Sequence, residues 1–389
     1  MKKIRFFAGT NAHGGEFIFL SNISKLFGAE FNFFWNVYER RANIVSMTFK
    51  TKLIQMIVQL LSKYSTDIAR IFYLYIGMYY INLPESETHI NFVSSVYMPI
   101  PRGKNVIAYI MTPPRIFTID YDRMRNTLKH GRNIYFFIFP LFRKIALYHY
   151  IRSLNHATIL FTISKTVQLR LRKYFDKEVE ILYASIEPSK FKNESYNEVF
   201  ICVSRITERK QQDFILKAFN IFSRDNSDFK LIFISPKLSQ QNDLLYLKDL
   251  ECYVSSNNLN VEFLFSLNED ELIKIYAKSY ALLFAGIDED FGLVMLEAMA
   301  SEKPVIALNT GGPTEIVVDG YTGFLVDTPN DMALKMQILS RNLNLVKNMG
   351  GRGKKIVEEK YSDEIFKKHL IDIMGSKEIR TKDRYSTED

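Results

Sequence analysis

The chain has 389 residues, of which 47% are hydrophobic and 24% are charged. This is the composition of a globular protein, and the length exceeds what one hydrophobic core usually spans, so two domains are expected. Two cysteines exclude a disulfide-rich scaffold, and no Cys/His cluster has the spacing of a zinc site. No apolar run reaches the ~20 residues of a transmembrane helix, and the N-terminus lacks the apolar core of a secretory signal. We therefore expect a cytoplasmic protein that is soluble or, at most, peripheral on the cytoplasmic face of a membrane.

The net charge of +8 is distributed unevenly along the chain. Residues 1–190 contain 26 Lys/Arg and 12 Asp/Glu, whereas the remainder contains 25 and 31. The first half is thus the part that would meet an anionic surface or partner, although a solvated basic surface explains the charge equally well. No nucleic-acid-binding motif accompanies the charge, so we expect no nucleic-acid partner.

The first half begins like an α/β unit, with an apolar run, a glycine pair and a stretch of helical periodicity. In chain order the predicted elements are a strand at Ile4–Ala8, a helix at Phe17–Phe27, helices between about 40 and 90, a strand at Asn105–Met111, one long or two short helices over Asn133–His156, a strand at Ile159–Ile163 and a helix at Lys165–Tyr174.

The second half alternates regularly between short apolar runs and helical patterns. The predicted strands are Val199–Ser204, Phe229–Ile234, Val261–Leu264, Ala281–Ala285 and Pro304–Ala307, and the helices between them are Gln212–Phe222, Leu244–Ser255, Glu269–Lys278 and Leu293–Ser301, with a short one near Thr314. Strands that are apolar on both faces and separated by helices predict a parallel, doubly wound sheet.

The polar connector at 186–198 is the predicted domain boundary. The expected organisation is a first domain over 1–188, a second over 189–360, a C-terminal helix over 361–375 that packs back toward the first domain, and a disordered tail over 376–389.

The densest group of chemical side chains lies in Asp288–Ala300, directly after a predicted buried strand. Open α/β sheets bind ligands at this carboxyl edge. Gly292 allows close approach of the backbone to a ligand, and the following helix would point its free amides at the same place. Glu289 is placed to hydrogen-bond sugar hydroxyls, and Glu297 to reach two vicinal hydroxyls of a ribose.

Glu289 and Glu297, with seven residues between them, resemble the E-x7-E signature of glycosyltransferase family 4. The downstream runs Lys303–Ala307, Thr310–Glu315 and Asp319–Val326 occur in the order and spacing of that family. The resemblance implies the GT-B fold, an α/β architecture of two Rossmann-like domains whose parallel doubly wound sheets face across a cleft. It also implies that the donor-binding residues include Phe291, Gly292, Leu293, Val294 and Glu297.

Arg205 and Lys210 follow the first strand of the second domain, again at a carboxyl edge. Sugar transfer from a nucleotide builds negative charge on the leaving diphosphate, which cations and a helix N-terminus stabilise. In the resembled family the matching Arg and Lys bind that diphosphate, so Glu289, Arg205 and Lys210 are the expected catalytic residues. Arg209 is an alternative to Lys210, and a solvated basic loop is the alternative to both.

Two motifs of the first half also resemble the family. Gly14-Gly15 at a strand-to-helix turn is similar to its first-domain glycine loop, which closes over the phosphates. The run Tyr109–Arg115 is similar to a His-Thr-Pro-x-Arg loop of mannosyltransferases, but Met111 stands where the histidine is expected. Met111 and Arg115 are the predicted acceptor-side residues, and the substitution weakens the assignment of mannose.

The resemblance implies a retaining glycosyltransferase that moves a hexose, with GDP-mannose as the first guess, from a nucleotide diphosphate sugar to a glycan or lipid-linked acceptor. No cofactor or metal is expected, although Asp288-Glu289-Asp290 also spells the D-x-D motif of manganese enzymes. Two alternatives stay open: a nucleotide-sugar-binding but inert subunit of a glycan-assembly complex, and a hydrolysing epimerase of nucleotide sugars.

The stretch 133–152 combines aromatic residues with Arg143, Lys144 and Arg152. It is either an interfacial helix on an anionic membrane or a core helix with a basic outer face.

Overall fold

The computed structural model describes residues 4–10, 15–28, 31–36, 41–42, 56, 88–93, 100, 106–113, 135–238 and 240–385. The chain divides into two compact units, Met1–Tyr183 and Ala184–Asp389. Both contain a parallel sheet with connecting helices, which is the predicted fold class.

The first unit is built on a seven-stranded sheet. Its elements are β1 Ile4–Thr10, α1 Gly15–Phe27, β2 Phe31–Asn36, β3 Arg41–Ala42, β4 Thr88–Val93, β5 Val106–Ile110, α2 Tyr135–Leu154, β6 Ile159–Thr162, α3 Lys165–Arg172 and β7 Glu180–Ile181. The strand order is β3-β2-β1-β4-β5-β6-β7, and every pairing is parallel except that of β2 with β3. β5 and β6 are buried along their whole length, as expected for central strands covered by helices on both faces.

The second unit is built on a six-stranded, entirely parallel sheet. Its elements are β8 Val199–Val203, α4 Gln212–Ser223, β9 Lys230–Ser235, α5 Gln241–Ser256, β10 Val261–Phe265, α6 Glu269–Lys278, β11 Ala281–Phe284, α7 Leu293–Ala300, β12 Val305–Leu308, α8 Pro313–Ile316, β13 Gly323–Val326, α9 Pro329–Ser340, α10 Leu343–Lys360 and α11 Asp363–Tyr385. The order β10-β9-β8-β11-β12-β13 reverses direction between β8 and β11. A crevice forms at such a reversal because the flanking helices leave on opposite faces.

The core of the second unit is rich in aromatic side chains. Phe200 of β8 lies 5.2 Å from Phe229 in a stacked arrangement and 5.4 Å from Phe222 edge-on. Tyr280 packs edge-on against Phe229 at 5.3 Å and donates its hydroxyl to the Leu339 carbonyl at 2.8 Å. Aromatic burial of this kind contributes both area and specific geometry, and it fixes β8, whose carboxyl end leads into the candidate site.

The strands β2, β3, β4, β7 and β13 and the helices α9 and α10 are not among the predicted elements, and other differences concern the ends or the continuity of predicted segments. The first unit ends at Tyr183, five residues before the predicted limit at 188. The helix α2 is continuous through Pro140, which removes one of the two alternatives. The helix α11 continues to Tyr385, through much of the predicted tail, because neither glycine nor proline follows Gly375.

Of the stretch 40–90, where helices were predicted, the structure describes 41–42, 56 and 88–90, and of these 41–42 and 88–90 belong to the strands β3 and β4 rather than to helices. Where the structure describes helices, none has the length and hydropathy that crossing a bilayer requires.

Candidate donor-binding site

Two neighbouring strands bring the predicted residues of the second unit to one edge of the sheet. β11 pairs with β8 through Ala281–Phe200 and Leu282–Ile201. The loop after β8 and the loop after β11 therefore start side by side. They are also joined directly, because the Ile287 amide donates a hydrogen bond to the Arg209 carbonyl at 2.9 Å.

Lys210 and Glu289 form an ion pair between these two loops. The Lys210 ammonium donates to Glu289 Oε2 at 2.5 Å, and the side chains are 18% and 19% exposed. The Lys210 ammonium also lies 5.1 Å from the centre of the Phe284 ring, within the range of a cation–π interaction. A cation and a carboxylate thus meet at the carboxyl edge of β8 and β11.

Arg205 extends into solvent from the same loop as Lys210. Its side chain is exposed, whereas its carbonyl accepts a hydrogen bond from the Gln212 amide at 2.9 Å. Gln212 is fully buried and also donates to the Ser204 hydroxyl at 2.9 Å. The first residue of α4 therefore fixes the backbone that carries Arg205, while the guanidinium is accessible to an anion.

Glycines allow a second loop to lie directly on the Glu289 loop. The Gly312 amide donates to the Glu289 carbonyl at 2.9 Å. Gly311 has a φ of +65°, and a Cβ there would lie 2.7 Å from the same carbonyl oxygen, while a Cβ at Gly312 would collide with the backbone of Phe291. Only glycine fits at either position, which explains the Gly-Gly pair of the downstream motif.

The helix α7 begins at this edge. Gly292 caps it with a φ of +111°, a conformation that glycine adopts without strain. Phe291 is buried and packs edge-on against Tyr361 at 5.8 Å, which anchors the turn. Leu293 and Val294 form the partly exposed first turn, whose free amides and positive dipole end suit an anion.

Glu297 lies in the second turn of α7 and contacts Tyr276 of α6. The Tyr276 hydroxyl donates to Glu297 Oε2 at 2.8 Å and lies 3.3 Å from the Val294 carbonyl. Burial raises the pKa of Glu297 to about 7, and the hydrogen bond from Tyr276 opposes that rise. Burial therefore favours the neutral form of Glu297, and Tyr276 partly stabilises the charged form.

In the first unit, the described part of the predicted site is small. Gly15 is the first residue of α1, and Met111 follows β5 directly and is only 8% exposed. Gly14 and Arg115 lie outside the described residues, so their predicted roles stay predictions.

Sequence reasoning missed Tyr276 and Gln212. Both hold a site residue by a hydrogen bond, and both lie in amphipathic helices, where an aromatic or amide residue suggests only ordinary packing. The alternation of strands and helices along the sequence predicted the helices that contain Tyr276 and Gln212. It did not predict which residues their side chains would contact.

A comparison with protein families matches residues 185–356 to the glycosyl transferases group 1 family. An uncharacterised glycosyltransferase of Methanocaldococcus jannaschii is 30% identical over 208 residues, which cover 53% of this chain and 56% of that protein. The alpha-1,3/1,6-mannosyltransferase ALG2 of Dictyostelium discoideum is 29% identical over 202 residues, 49% of this chain and 47% of that protein. The chain thus spans about half the length of the curated relatives it matches.

Solved structures extend the likeness of fold to nearly the whole chain. HepE of Anabaena in complex with UDP superposes with a TM-score of 0.66 at 15% identity, covering 96% of this chain and all of HepE. A sucrose-phosphate synthase of Thermosynechococcus elongatus superposes with a TM-score of 0.65 at 13% identity, covering 96% of this chain and 98% of that one. Residues 185–356 are thus similar to the glycosyl transferases group 1 family, and the two Rossmann-like units have the GT-B fold.

Proposed function

We propose that this protein transfers a hexose from a nucleoside diphosphate sugar to an acceptor hydroxyl, with retention at the anomeric carbon and without a metal ion. The observation that carries the proposal is the contact between Lys210 and Glu289 at the carboxyl edge of β8 and β11, next to the start of α7. A diphosphate needs the cation and the helix amides, and the adjoining sugar needs the carboxylate.

In the proposed reaction the bond from the anomeric carbon to the diphosphate oxygen breaks, and a bond to the acceptor oxygen forms on the same face. The acceptor proton passes to the leaving phosphate oxygen. Lys210 and Arg205 neutralise the charge that builds on the diphosphate, so that no metal is needed for that purpose. Glu289 holds the sugar and stabilises positive charge at its ring, and Glu297 holds the ribose.

Mannose is the first candidate sugar, because ALG2 of Dictyostelium discoideum is a mannosyltransferase. UDP-glucose is the second candidate donor, because HepE of Anabaena has been crystallised with it at 15% identity to this chain. Calorimetric titration with GDP-mannose, UDP-glucose and the free diphosphates would rank the donors. The proposed acceptor is a glycan or a lipid-linked molecule.

The test compares Glu289→Gln and Lys210→Ala with two matched controls, Glu251→Gln and Lys192→Ala, whose side chains are exposed elsewhere on the second unit. We expect the site variants to lower kcat by at least about 100-fold, as does the loss of one electrostatic stabiliser in other enzymes, and the controls to keep it. Full turnover of Glu289→Gln would contradict the proposal.

The same assay tests the remaining features. Turnover that persists in excess EDTA supports the metal-free mechanism, whereas its loss would point to the Asp288-Glu289-Asp290 motif. The anomeric coupling constant of the product, measured by NMR, distinguishes retention from inversion. Donor consumption without any acceptor or partner, accompanied by an epimerised sugar, would favour the epimerase, and an inert purified protein that binds donor would favour the scaffold.

A further inference from the structure

The helices α2 and α3 of the first unit carry apolar side chains on their solvent side. In α2, Leu141, Ile145 and Tyr148 are 61%, 50% and 57% exposed. Their spacing of four and three residues places them on one face of the helix. Arg152 occupies the next position on that face and donates a hydrogen bond to the Tyr148 hydroxyl at 3.1 Å. The solvent-exposed face of α2 is therefore apolar along most of its length and carries a basic residue, Arg152, near its C-terminal end.

The helix α3 repeats this arrangement in a shorter form. Leu169 is 49% exposed, and Lys165 and Arg172 lie four residues before it and three residues after it, also exposed. The opposite face is the ordinary core face, with Val167 and Leu171 buried. Leu169 thus lies between two cationic side chains on the exposed face of α3.

The two helices share one side of the sheet. The strands β5, β6 and β7 are consecutive parallel neighbours, so the chain advances in one direction through α2 and then α3. Right-handed crossovers that advance in one direction leave their helices on the same face of a sheet. The exposed stripes of α2 and α3 therefore belong to one surface, which we call the α2–α3 face.

The charge of this part of the chain has a single sign. Residues 123–175 contain 11 Lys/Arg and no Asp or Glu. A protein-binding surface combines an apolar centre with polar groups of mixed character, whereas an anionic bilayer offers an apolar interior beneath a uniformly negative surface. An apolar stripe in a segment whose charged side chains are all cationic matches the anionic bilayer.

We propose that the α2–α3 face docks this protein on an anionic lipid bilayer. Leu141, Ile145 and Leu169 enter the headgroup–acyl boundary, and Tyr148 sits at its polar level, as aromatic side chains with a polar tip do. Lys144, Lys165 and Arg172 contact the lipid phosphates. The proposal concerns the first unit alone and does not depend on the proposed transferase activity.

Flotation of the full chain with vesicles tests the proposal. We expect binding to vesicles of equal parts phosphatidylcholine and phosphatidylglycerol, little binding to phosphatidylcholine alone, and weakening when the ionic strength rises from low to high. Lys144→Ala with Arg172→Ala should weaken binding roughly 25-fold, since each cation near such a surface contributes about fivefold. Leu141→Ser with Ile145→Ser should weaken it at every salt concentration.

The matched control is Leu244→Ser with Leu245→Ser, an equally exposed leucine pair on α5 of the second unit. This control should bind vesicles like the unaltered protein, and circular dichroism melts should show all variants folded. Equal binding to neutral and anionic vesicles, or undiminished binding of the Leu141→Ser/Ile145→Ser variant, would overturn the proposal. A dimer in sedimentation that the same variant dissociates would overturn it too, by assigning the face to a second copy of this chain.

Discussion

The surroundings of the Glu297 side chain disfavour its ionised form. Burial raises its pKa to about 7 from an ordinary value near 4.5, and Tyr276 supplies the hydrogen bond that limits the rise. The folded protein therefore holds a proton on Glu297 between about pH 4.5 and pH 7, while the unfolded chain does not. Because the folded state binds more protons in that window, the free energy of unfolding falls as the pH rises through it.

Glu297→Gln should remove this loss of stability. At pH 8 the variant should have a free energy of unfolding about 1–3 kcal/mol higher than the unaltered protein, since each unit of pKa shift corresponds to about 1.4 kcal/mol. The gain should vanish near pH 5, where Glu297 is neutral in the folded state. Urea unfolding at the two pH values, with the exposed Glu251→Gln as control, measures it. If the free energy of unfolding of Glu297→Gln increased equally at pH 5 and pH 8, the increase would come from packing rather than from charge.

The charged residues proposed for the site can be recognised in the sequence, whereas the contacts that support them cannot. Glu289, Glu297 and Lys210 occur at spacings that the resemblance makes recognisable, and the structure brings Lys210 and Glu289 into contact. Tyr276 is 21 residues from Glu297 along the chain. Only the pairing of helices α6 and α7 in three dimensions joins the two, and no local pattern encodes such a pairing.

At the scale of the elements, α10 packs closely against α7 at two glycines of α10. A Cβ at Gly350 would collide with the Glu302 carbonyl just after α7, and a Cβ at Gly353 would lie 3.2 Å from Met299. The backbone of α10 can therefore lie directly against the C-terminal end of α7, the helix that begins at the candidate site. Gly351, the next residue after Gly350, faces open space.

Adjacent glycines of α10 should thus respond oppositely to alanine. Gly350→Ala forces the two backbones apart and should lower the free energy of unfolding by about 1–3 kcal/mol, as overpacking commonly does. Gly351→Ala should raise it by about 1 kcal/mol, because alanine favours a helix interior and meets no neighbour. Thermal unfolding of both variants measures the contrast. Equal effects would mean that α10 does not approach α7 so closely.

The alternation of strands and helices predicted the second unit well as far as β12, because its strands there are short, apolar and separated by regular helices, whereas β13, α9 and α10 were not predicted. Boundaries were less predictable. The sequence around 376–385 is charged and has few apolar residues, which suggests a tail, but its helix-forming residues continue α11 to Tyr385. The composition of a segment indicates how much apolar surface it can bury, and here it predicts disorder. Helix propensity concerns the backbone conformation, and here it favours a helix. The two signals therefore conflict over residues 376–385.

At the scale of the whole molecule, the two units differ in what they supply. The second contains its own aromatic core around Phe200 and Phe229 and carries Arg205, Lys210, Glu289 and Glu297. The first has the basic excess, with 25 Lys/Arg against 11 Asp/Glu over Met1–Tyr183. The proposed donor chemistry and the basic excess thus belong to different parts of the chain.

Residues 184–385 expressed alone should fold and bind a nucleoside diphosphate. The core cluster of this unit is formed entirely by its own residues, and so is the Lys210–Glu289 pair. We expect the affinity for GDP or UDP to fall by no more than about tenfold, or about 1.4 kcal/mol, because only the predicted phosphate contacts of Gly14 and Gly15 are lost. Sugar transfer should be absent, since the predicted acceptor-side residues belong to the first unit. Calorimetry on the fragment and on its Glu297→Ala variant measures the affinity for the diphosphates. A folded fragment that binds no diphosphate would place the main donor contacts in the first unit.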